Sequence, residues 1–192
     1  MHYEKFTNLL LIVALAILGP IFYTQSCVAG EVPKGQIPEE HLSTSCKALP
    51  WGVKVWDIDE AATSLKAKEN VVWVDTRPAS FFIKGTVRNA VLLPYNQTGK
   101  DGNELTKEKL NQLISSQELD PSTARIAFFC QGPKCHRSYN AAYVAATQWG
   151  YTPENIIWFR AGYPELFKSV KSEAKLRRRA KTYLSDEGIG HL

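Results

Sequence analysis

The stretch "IAFFCQGPKCHRSYNAA", residues 126–142, runs from an unbroken apolar segment into a small-residue helical pattern. Between them lies a loop with two cysteines, a lysine, a histidine and an arginine. An apolar run without alternation predicts a strand covered on both faces, as in a parallel sheet. The pattern from Ser138 to Gly150 predicts a helix, with Ser138 as N-cap and Gly150 as its stop. A cysteine at the end of such a strand, in a loop feeding a helix amino terminus, sits where backbone N–H groups and the helix dipole favour negative charge. A thiolate there has a depressed pKa and is a nucleophile at neutral pH. Cys130 occupies that position.

Similar units flank this one. "DIDEAATSLKAK" (Asp57 to Lys68) predicts a short helix capped by Asp57 or Asp59, and "NVVWVDTR" contains a strand at Val71–Val74. "AVLLPY" (Ala90 to Tyr95) predicts a further buried strand. "TKEKLNQLISS" predicts a helix capped by Thr106, and "NIIWF" (Asn155 to Phe159) a fourth strand. A basic helix, in one piece or two, closes the chain. Strands alternating with helices at this spacing predict an α/β fold: a central parallel sheet of about five strands with helices on both faces. Sites in such folds form at the carboxyl ends of the strands.

With 192 residues there is room for one domain plus extensions, and a net charge of +4 without aromatic–basic interleaving argues against nucleic acid as a partner. Lys5, the apolar run Leu9–Leu18 and the small residues at 28–30 read as a signal peptide. The alternative is an uncleaved membrane anchor, although the run falls short of the roughly 20 residues of a span. Either way the rest of the chain is expected to be periplasmic or secreted, or tethered there, with membrane contact only through the leader. Residues 31–50 read as a linker or arm, 51–170 as the domain and 171–192 as a basic helix and tail. Cleavage after Gly30 leaves Cys46, Cys130 and Cys135, an odd count that fits a reactive thiol better than a disulfide scaffold.

The region from about Val53 to Phe167 resembles the rhodanese domain, a single-domain sulfurtransferase family. "VDTRPASFFIKGTVRNAVLLP" is similar to the family's D-x-R-x-x-x-E-F-x-x-G-H-I-x-G-A-x-x-I-P signature. Asp75, Arg77, Phe82, Gly85, Val87, Ala90 and Pro94 match, while Phe81 replaces Glu and Thr86 replaces His. "IIWFRAGYPEL" resembles the closing V-x-x-L-x-G-G-x-x-x-W. The active-site loop departs from C-x-x-G-x-R-S: Cys130 lies seven residues before Arg137, two more than usual, and Cys135 sits inside. This Cys-x4-Cys loop looks like a secreted branch that includes cysteine-pair proteins of PQQ-dependent periplasmic oxidation.

The resemblance implies that Cys130 carries a persulfide and moves sulfane sulfur from thiosulfate or a similar donor to a thiol or cyanide, without a cofactor. Its partners would be a small sulfur-containing anion, a thiol acceptor and an envelope redox protein. The anion is expected against Gly132, Lys134, His136, Arg137 and Ser138, with the amides of residues 131–137; Arg137 alternatively pairs with Asp75 and shapes the loop. For Cys135 three roles stay open: resolving Cys130, a disulfide with it, or filling space. Cys46 is left free to pair with a partner or a loop cysteine. His136 can tune the thiolate, and no His/Cys cluster beyond this one loop has zinc-site spacing, so no metal is expected. Asp75 and Arg77 read as structural, and Asn96-Gln97-Thr98 fits a glycosylation acceptor. The rival readings are a thiol–disulfide redox protein using Cys130 and Cys135, and a non-catalytic rhodanese-fold binding module.

Overall fold

A computed structural model describes residues 30–192; the leader reading falls on residues outside that range. Five strands, β1 (Lys54–Trp56), β2 (Val71–Asp75), β3 (Val91–Leu92), β4 (Arg125–Phe129) and β5 (Ile156–Phe159), form one sheet in the order β1-β5-β4-β2-β3, every pair parallel. The helices are α1 (Glu39–Leu42), α2 (Ile58–Ala67), α3 (Ala79–Phe82), α4 (Lys107–Ser116), α5 (His136–Thr147), α6 (Gly162–Ser172), α7 (Ala174–Arg177), α8 (Ala180–Tyr183) and α9 (Asp186–Ile189).

The pleat divides the apolar runs between two cores. Val72, Val74, Ile126, Phe128, Ile156 and Trp158 pack on one face with α4 and α5. Trp73, Ala127, Phe129, Ile157 and Phe159 pack on the other with α2, α6 and α8. Alternate residues face opposite sides, so a strand covered on both must be apolar throughout.

Three expectations are corrected. The strand expected over Ala90–Tyr95 shrinks to two half-buried residues, because β3 is the sheet edge and pairs only with β2. Helix α5 starts two residues before Ser138, with Cys135 as N-cap, and it ends at Thr147, before Gly150. Ser138 is buried, and its hydroxyl accepts from the Trp158 indole at 3.2 Å instead of capping. The expected closing helix is broken into pieces because Tyr183 and Leu184 turn back into the core. Among the described residues no helix is long and apolar enough to cross a membrane.

Residues 31–50 form an arm strapped across α5. Asn140 accepts from the Val32 N–H at 2.8 Å and donates to the Val32 carbonyl at 2.9 Å. His41 is hydrogen-bonded to the Tyr139 hydroxyl, and Tyr95 donates to Glu31. The buried Arg160 donates to the carbonyls of His41 and Ser43 and pairs with Asp57, the N-cap of α2. Val32, Ile37 and Leu49 then close the core on that side. Asn140→Ala strands the buried Val32 N–H and carbonyl, so a loss of about 1–3 kcal/mol is expected. Faster proteolysis of the arm accompanies it; unchanged urea midpoint and cleavage would show that the strap holds without this side chain.

Candidate functional site

The chain leaves β2 toward β3 on one side of the sheet and leaves β4 toward β5 on the other. The boundary between β2 and β4 is therefore a switch point, where loops diverge and leave a crevice beyond the strand ends. A cleft of about 590 Å³ opens there, lined by Pro78 and Phe81 after β2, residues 130–137 after β4, and Lys34 of the arm. A larger groove, about 990 Å³, lies by the amino end of β2 near Asn70 and Val71, and no cysteine lines it.

Cys130 follows the last residue of β4 and is 1% exposed. It is disulfide-bonded to the half-exposed Cys135, with Cα atoms 6.1 Å apart. Because Cys135 is the N-cap of α5, the bond also places the Cys130 sulfur at the positive end of that helix. Among the described residues Cys46 is the free thiol, and its Sγ donates to the Ala48 carbonyl.

The backbone beneath Cys130 is tightly held. Thr76 donates its N–H (3.1 Å) and hydroxyl (2.9 Å) to the Phe129 carbonyl, tying β2 to β4. The Cys130 carbonyl accepts from the Tyr163 N–H at 3.1 Å. On the β2 side, Asp75 accepts from the Arg77 N–H and guanidinium and from the Thr86 hydroxyl. Arg77 also donates to the Gly85 carbonyl and lies over the Tyr163 ring. These residues are structural, as their burial demands: two charges in the interior require this degree of pairing.

Of the expected anion ligands, Gly132, Lys134, His136 and Arg137 line the cleft and Ser138 does not. Gly132 takes a φ of +134, a conformation that favours glycine and lets the loop turn. Arg137 does not pair with Asp75, which Arg77 has taken; its Nη1 donates to the Tyr95 carbonyl at 2.7 Å. The His136 Nε2–H donates to Asn96 Oδ1 at 2.6 Å. Burial, with Arg137 and Lys34 nearby, lowers the His136 pKa and keeps the ring neutral at pH 7. Burial lowers that of His41 as well.

A histidine whose folded pKa lies below its unfolded value, 6.5, binds its proton more tightly when unfolded. The stability contributed by the two neutral rings is thus full above pH 6.5 and is lost as the pH falls from there through the folded pKa values. Urea midpoints should be level above that pH and decline below it, and His41→Gln with His136→Gln should flatten the decline. An unchanged slope in the double variant would assign it to other groups.

Lys34 was not legible as a site residue, because it lies in a polar segment some hundred residues from the loop. Phe81 is 43% exposed on the cleft wall, and Ile83 beside it is 68% exposed. Among the described residues no group of three or more His, Cys, Asp or Glu is placed to hold a metal ion.

A family model described as the rhodanese-like domain matches residues 57–169, more than half of the chain. No curated protein matches. Among solved structures, Ygr203w of Saccharomyces cerevisiae, described as a homolog of single-domain rhodanese and the Cdc25 phosphatase catalytic domain, superposes with a TM-score of 0.51. It is 14% identical, over 70% of this chain and 88% of its own. The rhodanese-like domain of the Anabaena sp. protein Alr3790 is 19% identical (TM-score 0.40, covering 60% of this chain and 73% of its own). The As-Sb reductase of Leishmania major is 16% identical (TM-score 0.46, 62% and 80%). At 14% identity the likeness to Ygr203w establishes the fold alone.

Proposed function

The chain belongs to the rhodanese-like domain family, and from that premise we propose that it transfers sulfane sulfur through a persulfide on Cys130. The observation that carries this reading is the position of Cys130: at the end of a buried central strand, its sulfur at the amino end of α5, on a cleft bordered by Lys34, Lys134 and Arg137. A reduced Cys130 thiolate attacks the outer sulfur of thiosulfate, and sulfite leaves with the electron pair of the broken S–S bond. The thiolate and the persulfide anion are both stabilised by the helix terminus, and the incoming dianion by the cations. An accepting thiolate or cyanide then removes the outer sulfur and restores the Cys130 thiolate. In an oxidising location outside the cytoplasm the Cys130–Cys135 bond would form, and the reaction would then need a reductant to free Cys130.

The reduced chain is expected to form thiocyanate from thiosulfate and cyanide. Cys130→Ser should fall to the uncatalysed rate, while Cys135→Ser should stay active. Activity retained without Cys130 would sink the reading. The Cys130–Cys135 bond favours a second one, thiol–disulfide exchange, in which either substitution abolishes turnover of a dithiol substrate and no thiocyanate forms.

Lys34 is expected to assist binding alone. Lys34→Ala should raise KM for thiosulfate about two- to fivefold with kcat nearly unchanged, the scale of one solvent-screened charge contact. A matching fall in kcat would instead make it part of the chemical step.

A further inference from the structure

The reactive cysteine is bonded to a second cysteine on its own loop, and the two differ in access. Cys130 is almost wholly buried, whereas Cys135 is half-exposed on the cleft, five residues along. Their Cα separation of 6.1 Å lies within the range that disulfides span, so the loop brings the Cys135 sulfur onto Cys130 Sγ with the strand and helix in place. That approach has a consequence when Cys130 carries an extra sulfur. Cys130 Sγ is then the inner atom of a persulfide, and Cys135 is the thiol positioned to strike it.

Resting on the Cys130 persulfide of the preceding section, we propose that Cys135 resolves it, so that the sulfur leaves as hydrosulfide and a dithiol supplies the electrons. The Cys135 thiolate attacks Cys130 Sγ and the Cys130–Cys135 bond forms. The bond from Sγ to the outer sulfur breaks, and that sulfur departs as HS⁻ with the bonding pair. The outer sulfur is reduced from the sulfane level to sulfide, and the two cysteines are oxidised together to the disulfide. One dithiol returns the protein to its starting state: its first thiolate attacks the more accessible Cys135 sulfur, Cys130 leaves as thiolate at the amino end of α5, and the second thiol of the reductant closes its own disulfide. The two protons of the dithiol pass to Cys135 and to the hydrosulfide or solvent. The summed reaction is donor sulfur plus dithiol giving hydrosulfide plus disulfide. The oxidised pair is thus the product of each turnover, and transfer to an outside acceptor competes with this internal step.

The test is a single turnover on the full chain, reduced, freed of reductant and held without oxygen. Thiosulfate is added, with benzenethiosulfonate as donor in a parallel sample. Hydrosulfide is trapped with monobromobimane, and alkylated peptides are weighed. The wild type should release one hydrosulfide per chain and end with Cys130 joined to Cys135. Cys135→Ser and Cys135→Ala should instead keep Cys130 one sulfur atom heavier and release none. If the variants load and the wild type also holds its persulfide without hydrosulfide, Cys135 does not resolve it and this inference falls, while sulfur transfer stands. If no form gains sulfur from either donor, the persulfide reading itself falls, and the inference with it. Glutathione given to the oxidised wild type should be recovered on Cys135; recovery on Cys130 would overturn the order of attack.

Discussion

Asp75→Ala is expected to destabilise the protein by about 3–5 kcal/mol, the cost of leaving a buried cation without its partner. Asp75 is 0% exposed and Arg77 is 2% exposed. Their pairing is two-pronged, at 2.9 Å to one carboxylate oxygen and 2.6 Å to the other. Removing the carboxylate strands the guanidinium, which keeps only the Gly85 carbonyl and the face of Tyr163, and leaves the Thr86 hydroxyl without its acceptor. The burial that makes the single substitution severe makes the pair replaceable as a unit. Asp75→Ala with Arg77→Met should therefore be more stable than Asp75→Ala alone. Urea unfolding of the three variants decides it. A single-variant loss under about 1 kcal/mol, or a double variant that merely adds a second loss, would mean water reaches the pair.

Gly162→Ala is expected to damage fold and chemistry together. Gly162 takes a φ of +69, which costs an L side chain roughly 1–2 kcal/mol. A Cβ there would also lie 2.5 Å from the Cys130 carbonyl oxygen and 2.7 Å from the Gly132 nitrogen. Both are backbone atoms of the loop that follows β4, so relief must come from moving that loop, and overpacking of this kind costs roughly a further 1–3 kcal/mol. Gly150→Ala is the control: its φ is +80, yet nothing lies within 4 Å of an added Cβ. It should show the conformational cost alone and leave sulfur loading intact. Loading preserved in Gly162→Ala at a temperature where the variant is folded would show that the loop accommodates the methyl group.

Much of this arrangement was legible in the chain itself. The runs Val71–Val74 and Ile126–Phe129 lie within strands because a segment apolar on both alternating faces has few other places to go. Thr106 and Asp57 cap the helices expected of them. Ser138 misled, since a serine ahead of an alanine-rich run has the sequence form of a cap; the extra loop residues let the helix start earlier, and Trp158 offered the hydroxyl a buried donor instead. The edge position of β3 could not be read from "AVLLPY", because strand order is a property of the sheet and not of the strand.

The sequence by itself determined the alternation of strands and helices, the position of Cys130 at a strand end and the presence of a second cysteine on its loop. Those follow from local periodicity and spacing, which act over one or two turns of chain. Only the tertiary structure decided that Cys130 and Cys135 bond to each other, that Arg77 and not Arg137 neutralises Asp75, and that Lys34 reaches the cleft. Each depends on groups brought together by the packing of separate elements: the arm is carried to α5 by Asn140 and Arg160, and the loop is shaped between Gly132 and Gly162. Short-range pattern specifies which elements form, whereas the partners of buried charges and thiols are chosen by the volume and polarity that remain once those elements have closed around them.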